Sequence, residues 1–440
     1  MASIGLKGFA GLQNQNAPER FAQEDLQEAL NVDIDNSGAV RRRQGYKQLN
    51  GLGGSYHSIW SDGIDYCLYM GGTSLMRLHD DNTTEVIRTG IVSGNPMAYL
   101  YLNGRVYYTD GVITGVVDNG ISRSWGLSIP SLPILSATGG GLITGMYRVG
   151  LTYQRLDGQE SGASVFASIH LSDNQGITIN YVASPDPGVA FIRIYVTHRN
   201  GTQMYLLTTI GNATGSVTYD GQTPLSVTLL TTQGLYPVVA GEMLDFFMGR
   251  IFVSNAEVLH WTQPLAYELY DPMRNWIQFD SMINTVGVVV DGIYVGTATE
   301  IMFLSYDQSG NFTTRPVAAY GSIFNAVTTV DASLLLDGSM TGIACLMGTQ
   351  QGLCVGYAGG QFNNLTHERF MMDYGNSGVA AVIARDGMNQ FLVLYPNPDI
   401  EAENEYEINS YAELTLPMIF IFETDSTAGV TIPVPTIQGG

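Results

Sequence analysis

Residues 288–304 read VVVDGIYVGTATEIMFL, and this stretch decides the class of fold. An aliphatic run reaches a turn at Asp291-Gly292, and a second apolar strand follows it and ends in a bend of small residues. Short strands joined by an Asp-Gly turn are typical of antiparallel sheets. Residues 102–111, LNGRVYYTDG, and residues 247–255, FMGRIFVSN, repeat this texture with a shared Gly-Arg-aliphatic-aromatic core. The pattern predicts a mainly β protein.

The repetition extends over two regions, residues 54–126 and the chain after Met243. In both, strands of about five residues follow one another every 8 to 12 residues or so, with glycine at the turns. Degenerate repeats of this kind indicate a β-propeller-like body, because each small sheet needs its neighbours to cover both faces. Between the two regions, the Pro/Gly/Ser-rich stretch 128–141 leads into about seven further strands. These strands predict an inserted antiparallel β-sandwich.

At the N-terminus, the spacing of Phe21, Leu26 and Leu30 predicts a helix over residues 18–31, and a hairpin should follow it. At the other end, no basic residue follows Arg385, and residues 414–440 combine an apolar strand with a proline-rich end. An extended arm that docks on another subunit is the expected form of this end. The resulting division is 1–50, N-terminal helix and hairpin; 51–135, first part of the β-propeller; 136–236, inserted β-sandwich; 237–398, second part of the β-propeller; and 399–440, acidic C-terminal arm.

Composition excludes several classes of function. The 440 residues carry 40 acids against 19 bases, for a formal net charge of −21. A protein that grips nucleic acid by neutralising phosphates, or that docks on anionic membranes, needs a basic face instead. The N-terminus lacks the long apolar run of a secretory signal, and no stretch of about 18 apolar residues could span a bilayer. Three cysteines give no disulfide framework, so we expect the protein to be made in a reducing cytosol.

The motifs that could carry chemistry are weak. Residues 305–312 resemble the Asp box of sialidase-like propellers with the glycine one place late, which predicts a structural hairpin turn. Residues 33–38 open like a calcium loop, but Gln44 stands where the bidentate acid belongs, so a hairpin turn is favoured. The six histidines have no metal-ligand spacing, and Glu160 is best explained as part of a polar hairpin tip. We therefore expect no enzyme activity, no metal and no cofactor.

Two sets of residues are candidates for contacts with other proteins. The only basic run consists of Arg41, Arg42 and Arg43, and in an acidic protein these side chains are expected to pair with carboxylates of a neighbouring subunit or an adaptor. The apolar part of the arm is the second set, with Ile419, Phe420, Ile421 and Phe422 at its centre. Exposed apolar strands of this length usually pair with another strand.

Several strings together resemble the tail nozzle proteins of short-tailed bacteriophages, also described as packaged-DNA stabilisation or tail-hub proteins. The strings that carry the resemblance lie at residues 29–46, 102–111, 124–133, 145–164, 192–207, 249–272 and 291–304. This resemblance implies a homo-oligomeric ring, expected to be a hexamer, in the virion tail below the portal and adaptor proteins. Double-stranded DNA would pass through the ring without tight binding, and tail fibres would be further partners.

Two other functions remain open from the sequence. A glycan-binding or glycan-hydrolysing propeller at the host surface would usually expose several tryptophans and clusters of acids in a central pocket. The four tryptophans here, Trp60, Trp125, Trp261 and Trp276, instead lie in alternating strand patterns where burial is expected. The second alternative is a scaffold or adaptor elsewhere in the tail.

Overall fold

A computed structural model describes residues 11–22, 24–26, 32–34, 39–42, 56–63, 66–307, 311–335, 341–367, 369–370, 374–385 and 388–394. These residues form 35 strands, three short 3₁₀ helices (Pro18–Arg20, Ala332–Leu334 and Ala358–Gly360) and no α-helix. The expectation of a mainly β protein is confirmed. Apart from one short pairing at the N-terminus, all the strand pairs within these sheets are antiparallel.

The N-terminal region differs from the predicted helix. Its strands are β1 (Gly11–Leu12), β2 (Asp25–Leu26), β3 (Val32–Ile34) and β4 (Val40–Arg42). A 3₁₀ turn replaces the start of the helix, and β2 then pairs in parallel with β1. The side chain of Asp25 accepts a hydrogen bond from the amide of Ala22 at 3.0 Å, which turns the chain out of a helical path. Residues 27–31 lie outside the described residues. The predicted hairpin is present as the β3–β4 pair.

Two four-stranded sheets precede the sandwich, and in each of them consecutive strands are neighbours. The first sheet contains β5 (Tyr56–Ser61), β6 (Cys67–Gly71), β7 (Ser74–Leu78) and β8 (Thr84–Arg88). The second sheet contains β9 (Ala98–Leu102), β10 (Arg105–Thr109), β11 (Thr114–Asp118) and β12 (Ile121–Arg123).

Seven strands between residues 134 and 219 form two sheets that pack on one another. One sheet has the order β13 (Ile134–Leu142), β16 (Gln175–Tyr181), β19 (Gly215–Tyr219). The other has the order β15 (Ala167–Leu171), β14 (Gly145–Arg155), β17 (Val189–Thr197), β18 (Met204–Gly211). Their inner faces share one apolar core, which includes Leu151, Ile177 and Ile194. This is a β-sandwich, and its first strand begins two residues before the predicted boundary.

After the sandwich, the four-stranded pattern resumes. A short strand, β20 (Tyr236–Pro237), pairs with β24 (Leu269–Tyr270) beside the third sheet. The third sheet contains β21 (Met243–Phe247), β22 (Arg250–Asn255), β23 (Val258–Trp261) and β25 (Trp276–Gln278). The fourth contains β26 (Ile283–Val289), β27 (Gly292–Thr297), β28 (Ile301–Tyr306) and β29 (Phe312–Ala318). The fifth contains β30 (Ser322–Asp331), β31 (Ile343–Thr349), β32 (Gly352–Tyr357) and β33 (Gln361–Asn364). A final pair, β34 (Val379–Arg385) and β35 (Met388–Leu394), follows them.

The sheets are arranged as the blades of a β-propeller-like body. The first strands β9, β21, β26, β30 and β34 pack against one another in turn, which makes them the inner strands. Each pair of successive sheets shares an apolar cluster. One residue from each of the two sheets identifies the five clusters in chain order: Leu75 with Val106, Tyr107 with Val253, Phe252 with Ile293, Phe303 with Met347, and Leu346 with Phe391. Each such buried side chain contributes roughly 1.5–3 kcal/mol of transfer free energy. The stability of each blade therefore depends on the neighbouring blades that cover its apolar faces.

Candidate functional site: the junction between sandwich and propeller

Of the residues predicted to contact other subunits, the structure describes only Arg41 and Arg42. Arg41 and Arg42 lie on β4, where they pair in register with Asp33 and Val32, and the Arg42 side chain is exposed. Arg43 lies outside the described residues, as do Ile419, Phe420, Ile421 and Phe422. The calcium-loop positions 35–38 also lie outside them. The expectation that these residues contact other subunits stays a prediction.

The Asp-box-like stretch lies between two paired strands, as the predicted hairpin requires, and its residues 308–310 lie outside the described residues. It connects β28 to β29, and the Asp307 carboxylate accepts a hydrogen bond from the amide of Asn311 at 2.8 Å. The amide of Asp307 donates in turn to the carbonyl of Asn311, also at 2.8 Å. Both interactions close the turn, so the motif has a structural explanation in this blade.

The densest cluster of charges lies where the sandwich meets the second and third blades. Arg105, at the start of β10, holds the Asp118 carboxylate through Nε at 2.9 Å and approaches Glu268 through Nη1 at 3.6 Å. Arg123, at the end of β12, reaches Asp118 at 3.3 Å. Both arginines also approach Asp157 in the sandwich, at 3.6 and 3.7 Å. The network therefore ties the hairpin that follows β14 to two propeller blades.

Arg155 is the most buried member of this junction, with a side chain only 4% exposed. Its guanidinium donates to the Gln159 side chain at 2.7 Å and to the backbone carbonyl of Ser124 at 2.9 Å, and it lies 3.6 Å from Asp186. Arg123 donates to the same Gln159 oxygen at 3.2 Å. Two donors, Arg155 Nε and Gln159 Nε2, are buried without a hydrogen-bond partner in the described part of the chain.

Burial governs the electrostatics of the junction. It raises the pKa of Glu268, against the opposing effect of Arg105, Arg123 and Arg155. It also lowers the pKa of Arg155, with the nearby Arg123 acting in the same direction. Positive and negative groups are interleaved within a few ångströms, so the arginines here neutralise internal carboxylates instead of forming a basic surface.

The backbone beside the network is held by Trp125 and Gly126. The Trp125 indole is buried, packs 5.2 Å from the Tyr107 ring and donates to the carbonyl of Tyr267 at 2.8 Å. Gly126 has φ +82°, and a Cβ there would lie 2.7 Å from the Glu268 carbonyl oxygen. Only glycine fits both the left-handed backbone and this close approach. The segment that follows β12 is thus held against the third blade.

Glu160 lies next to this junction and is fully engaged. Its carboxylate accepts hydrogen bonds from Thr152 at 2.5 Å, from Tyr195 at 2.7 Å and from Arg193 at 2.5 Å. Burial, together with this carboxylate, raises the pKa of the Tyr195 hydroxyl. These hydrogen bonds fix β14 to β17 and occupy the oxygens of the carboxylate. The interpretation of Glu160 as part of a polar hairpin tip stays a prediction.

A second unusual carboxylate, Asp245, lies between the inner strands of the third and fourth blades. Its oxygens accept from its neighbour Phe246 at 2.7 Å and from Val288, on β26, at 3.0 Å. Burial raises the pKa of Asp245 to about 6, and those two backbone hydrogen bonds oppose the rise. The side chain links the inner strands of two blades.

The described residues do not bring together the side chains of a metal centre. Among them, no three His, Cys, Asp or Glu side chains lie together as a metal site would require. Burial raises the pKa of the Cys345 and Cys354 thiols, which are both inside the fifth sheet. Within the same residues there is no helix of the length and apolarity needed to cross a membrane.

The sequence did not single out Arg105, Arg123 and Arg155 as a cluster. They are about 20 to 30 residues apart along the chain, and only the tertiary fold brings them together. A signal was nevertheless present, because Arg105 belongs to the repeated Gly-Arg core and Asp157 and Gln159 to the Asp-Gly-Gln-Glu-Ser-Gly turn. A repeated arginine at the start of a strand indicated a structural role.

Comparison with known proteins adds little about function. No family model and no curated protein matches this chain. Among solved structures, it is similar to the extracellular domain of the one-component system BT4673 from B. thetaiotaomicron, with 10% identity and a TM-score of 0.30 over 85% of this chain and 47% of that one. It is also similar to PorZ, a surface component of the type-IX secretion system of Porphyromonas gingivalis, with 13% identity and a TM-score of 0.14 over 75% of this chain and 56% of that one. This chain thus spans about half the length of the structures it matches.

Proposed function

We propose that the protein is a structural component of a bacteriophage tail. It would form a ring, or nozzle, below the portal and adaptor, retain the packaged genome and conduct DNA during ejection. The basis is the resemblance of its sequence strings to tail nozzle proteins, taken together with the way the fold uses its arginines. The propeller-like body and the inserted sandwich are the parts of such a ring subunit.

The observation that carries the proposal is the internal pairing of positive charge. Arg105, Arg123, Arg155 and Arg193 all face carboxylates, with side chains between 4% and 30% exposed. Other arginines bind backbone carbonyls, as Arg315 binds Gly359 at 2.7 Å. The chain has 40 acids against 19 bases, so this pairing leaves an excess of 21 acids to dominate the surface.

An acidic surface suits a conduit. Phosphates that pass an acidic wall feel a repulsion screened over about 10 Å at 0.1 M salt, which prevents adsorption without blocking DNA driven by pressure. Lysines and arginines facing a channel would instead create salt-dependent binding sites. A ring of subunits, each with a net charge of −21, would multiply this effect.

The test combines imaging with DNA binding. Images of the purified protein or the virion should show a six-fold ring with a central hole, and the protein should not bind a 30-base-pair duplex even at 20 mM salt. The Asp80→Lys/Glu85→Lys variant, altered at two exposed acids, serves as a control for the sensitivity of the binding assay. A monomer without a ring, or tight binding by the unaltered protein, would contradict the proposal. If binding occurs and is lost on changing Arg41, Arg42 and Arg43 to alanine, those residues form a DNA contact.

A further inference from the structure

The last sheet of the propeller-like body is half the size of the others. Five sheets have four strands each, whereas β34 and β35 form a two-stranded sheet within the described residues. β34 packs on β30, the amide of Gly378 donates to the carbonyl of Phe324 at 2.8 Å, and Phe324 and Ser377 form a parallel bridge. These contacts place β34 as the inner strand of a sixth blade. β35 is its second strand, and none of the described residues forms a third or fourth strand beside it.

The two strands also present an apolar face that the described residues do not cover. Val382 and Phe391, which pair across the strands, pack on the fifth blade. Because side chains alternate along a strand, Val379, Ala381, Leu392 and Leu394 point to the opposite face. Val379 is 45% exposed, and Leu392 and Leu394 are partly exposed. In the other blades this face is covered by a neighbouring sheet.

The sequence that follows β35 contains an apolar segment of the required length. Residues 416–422, LPMIFIF, are the longest apolar run in the 46 residues after Leu394. A run without alternation is typical of a strand that is buried on both faces. The third strand of the fourth blade, β28, has the same character, with the sequence IMFLSY and burial on both faces of its first four residues.

A second segment of the sequence has the pattern expected of an outer strand. Residues 430–434, VTIPV, follow a polar turn after the apolar run. Proline cannot donate to the ladder, so it is found on edge strands, at bulges or at the start of a strand. Pro417 stands at the start of the apolar run, whereas Pro433 lies inside residues 430–434 and therefore indicates an edge strand. The outermost strand of the fourth blade, β29, likewise contains a proline, Pro316. The order of an apolar strand followed by a proline-containing strand is thus the order of β28 and β29.

We propose that residues 416–422 pair with the free edge of β35 in the same chain, that residues 430–434 form the outer strand, and that together they complete the sixth blade. Residues 395–415 provide the connection, and lengthening a loop adds only slowly to its entropic cost. The segment predicted from the sequence to dock on another subunit would then close its own propeller. This inference does not depend on the tail function.

Cysteine cross-linking tests the pairing directly. In a Cys67→Ser background, Leu392→Cys is combined with a cysteine at each of positions 418 to 422 in turn. Facing residues on adjacent strands have Cβ atoms about 4.5–5.5 Å apart, which permits a disulfide after mild oxidation. We expect a link within one chain at alternate positions of the scan and none with the control Ile437→Cys. A link only between chains, shown by mixing isotopically heavy and light protein, would overturn the same-chain assignment.

Hydrogen exchange gives an independent measurement that does not depend on register. In the full chain, Phe420→Asp should speed exchange of the β35 amides at least tenfold and leave β27 unchanged. The matched control Ile437→Asp should alter neither strand. Unchanged β35 exchange, together with no cross-link at any position, would overturn the proposal. Ring formation is scored separately, so failure of the tail function and failure of this pairing give different results.

Discussion

The guanidinium of Arg155, on the last residue of β14, donates to the carbonyl of Ser124, just beyond β12, at 2.9 Å. This one bond joins the sandwich to the segment by which the chain leaves the second blade. Its donor is almost completely buried, with a side chain only 4% exposed. The inserted domain is therefore held by charge-assisted hydrogen bonds in addition to its two covalent connections.

Removing this arginine should destabilise the protein strongly. We expect Arg155→Met to lower the free energy of unfolding by about 3 kcal/mol, because Asp186 would lose its cationic partner, the Ser124 carbonyl its donor and Gln159 one of its two donors. Urea denaturation measures the change. Arg274→Met is the control, since Arg274 is 85% exposed and only 4.0 Å from Asp271, and it should cost less than about 0.5 kcal/mol. Equal effects of the two substitutions would contradict the importance of the junction.

Glu160→Gln should also destabilise the sandwich, by about 2 kcal/mol. The amide keeps the size of the carboxylate but loses its charge beside Arg193, and it cannot accept from Thr152, Tyr195 and Arg193 together. Calorimetric melting measures the loss. Glu85→Gln, at a half-exposed pair with His79, should leave the melting temperature nearly unchanged. A melting temperature for Glu160→Gln equal to that of the unaltered protein would argue against a structural role.

Stability should depend on pH through Asp245. Its pKa of about 6 in the folded protein exceeds the ordinary value of 3.8, so the folded state binds the proton more tightly than the unfolded state. This contribution is fully present below pH 4, is lost as pH rises to about 6, and amounts to roughly 3 kcal/mol. Asp245→Asn should flatten the unfolding free energy between pH 4 and pH 7. An unchanged pH profile in that variant would show that another group is responsible.

The sandwich should fold on its own. Its shared core, including Leu151, Ile177 and Ile194, is built entirely from residues between the two linkers. A fragment of residues 130–236 should melt cooperatively and give dispersed amide resonances. The matched fragment 143–236 lacks β13 (Ile134–Leu142), exposes one edge of the core and should remain unfolded. A disordered spectrum from the longer fragment would place the domain boundary elsewhere.

The hairpins were the easiest elements to predict. At residues 288–304, alternating apolar residues and an Asp-Gly turn specify two strands by local geometry alone, and β26 and β27 pair there as expected. The predicted helix over residues 18–31 failed where a side chain of Asp25 and the pairing of β2 with β1 competed with helix propensity. Three apolar residues at helical spacing did not outweigh those contacts.

Local pattern by itself determined the mainly β class, the two propeller-like regions and the insertion between them, because strand periodicity and turn residues act over a few neighbours. Only the tertiary structure decided which charges meet. Arg105 and Glu268 are separated by more than 100 residues, and the packing of the second blade against the third brings their side chains to 3.6 Å. The tertiary structure also decided the inner position of β34, since that position depends on contact with β30, the first strand of the fifth blade. Such contacts depend on long-range packing that no short window of sequence encodes.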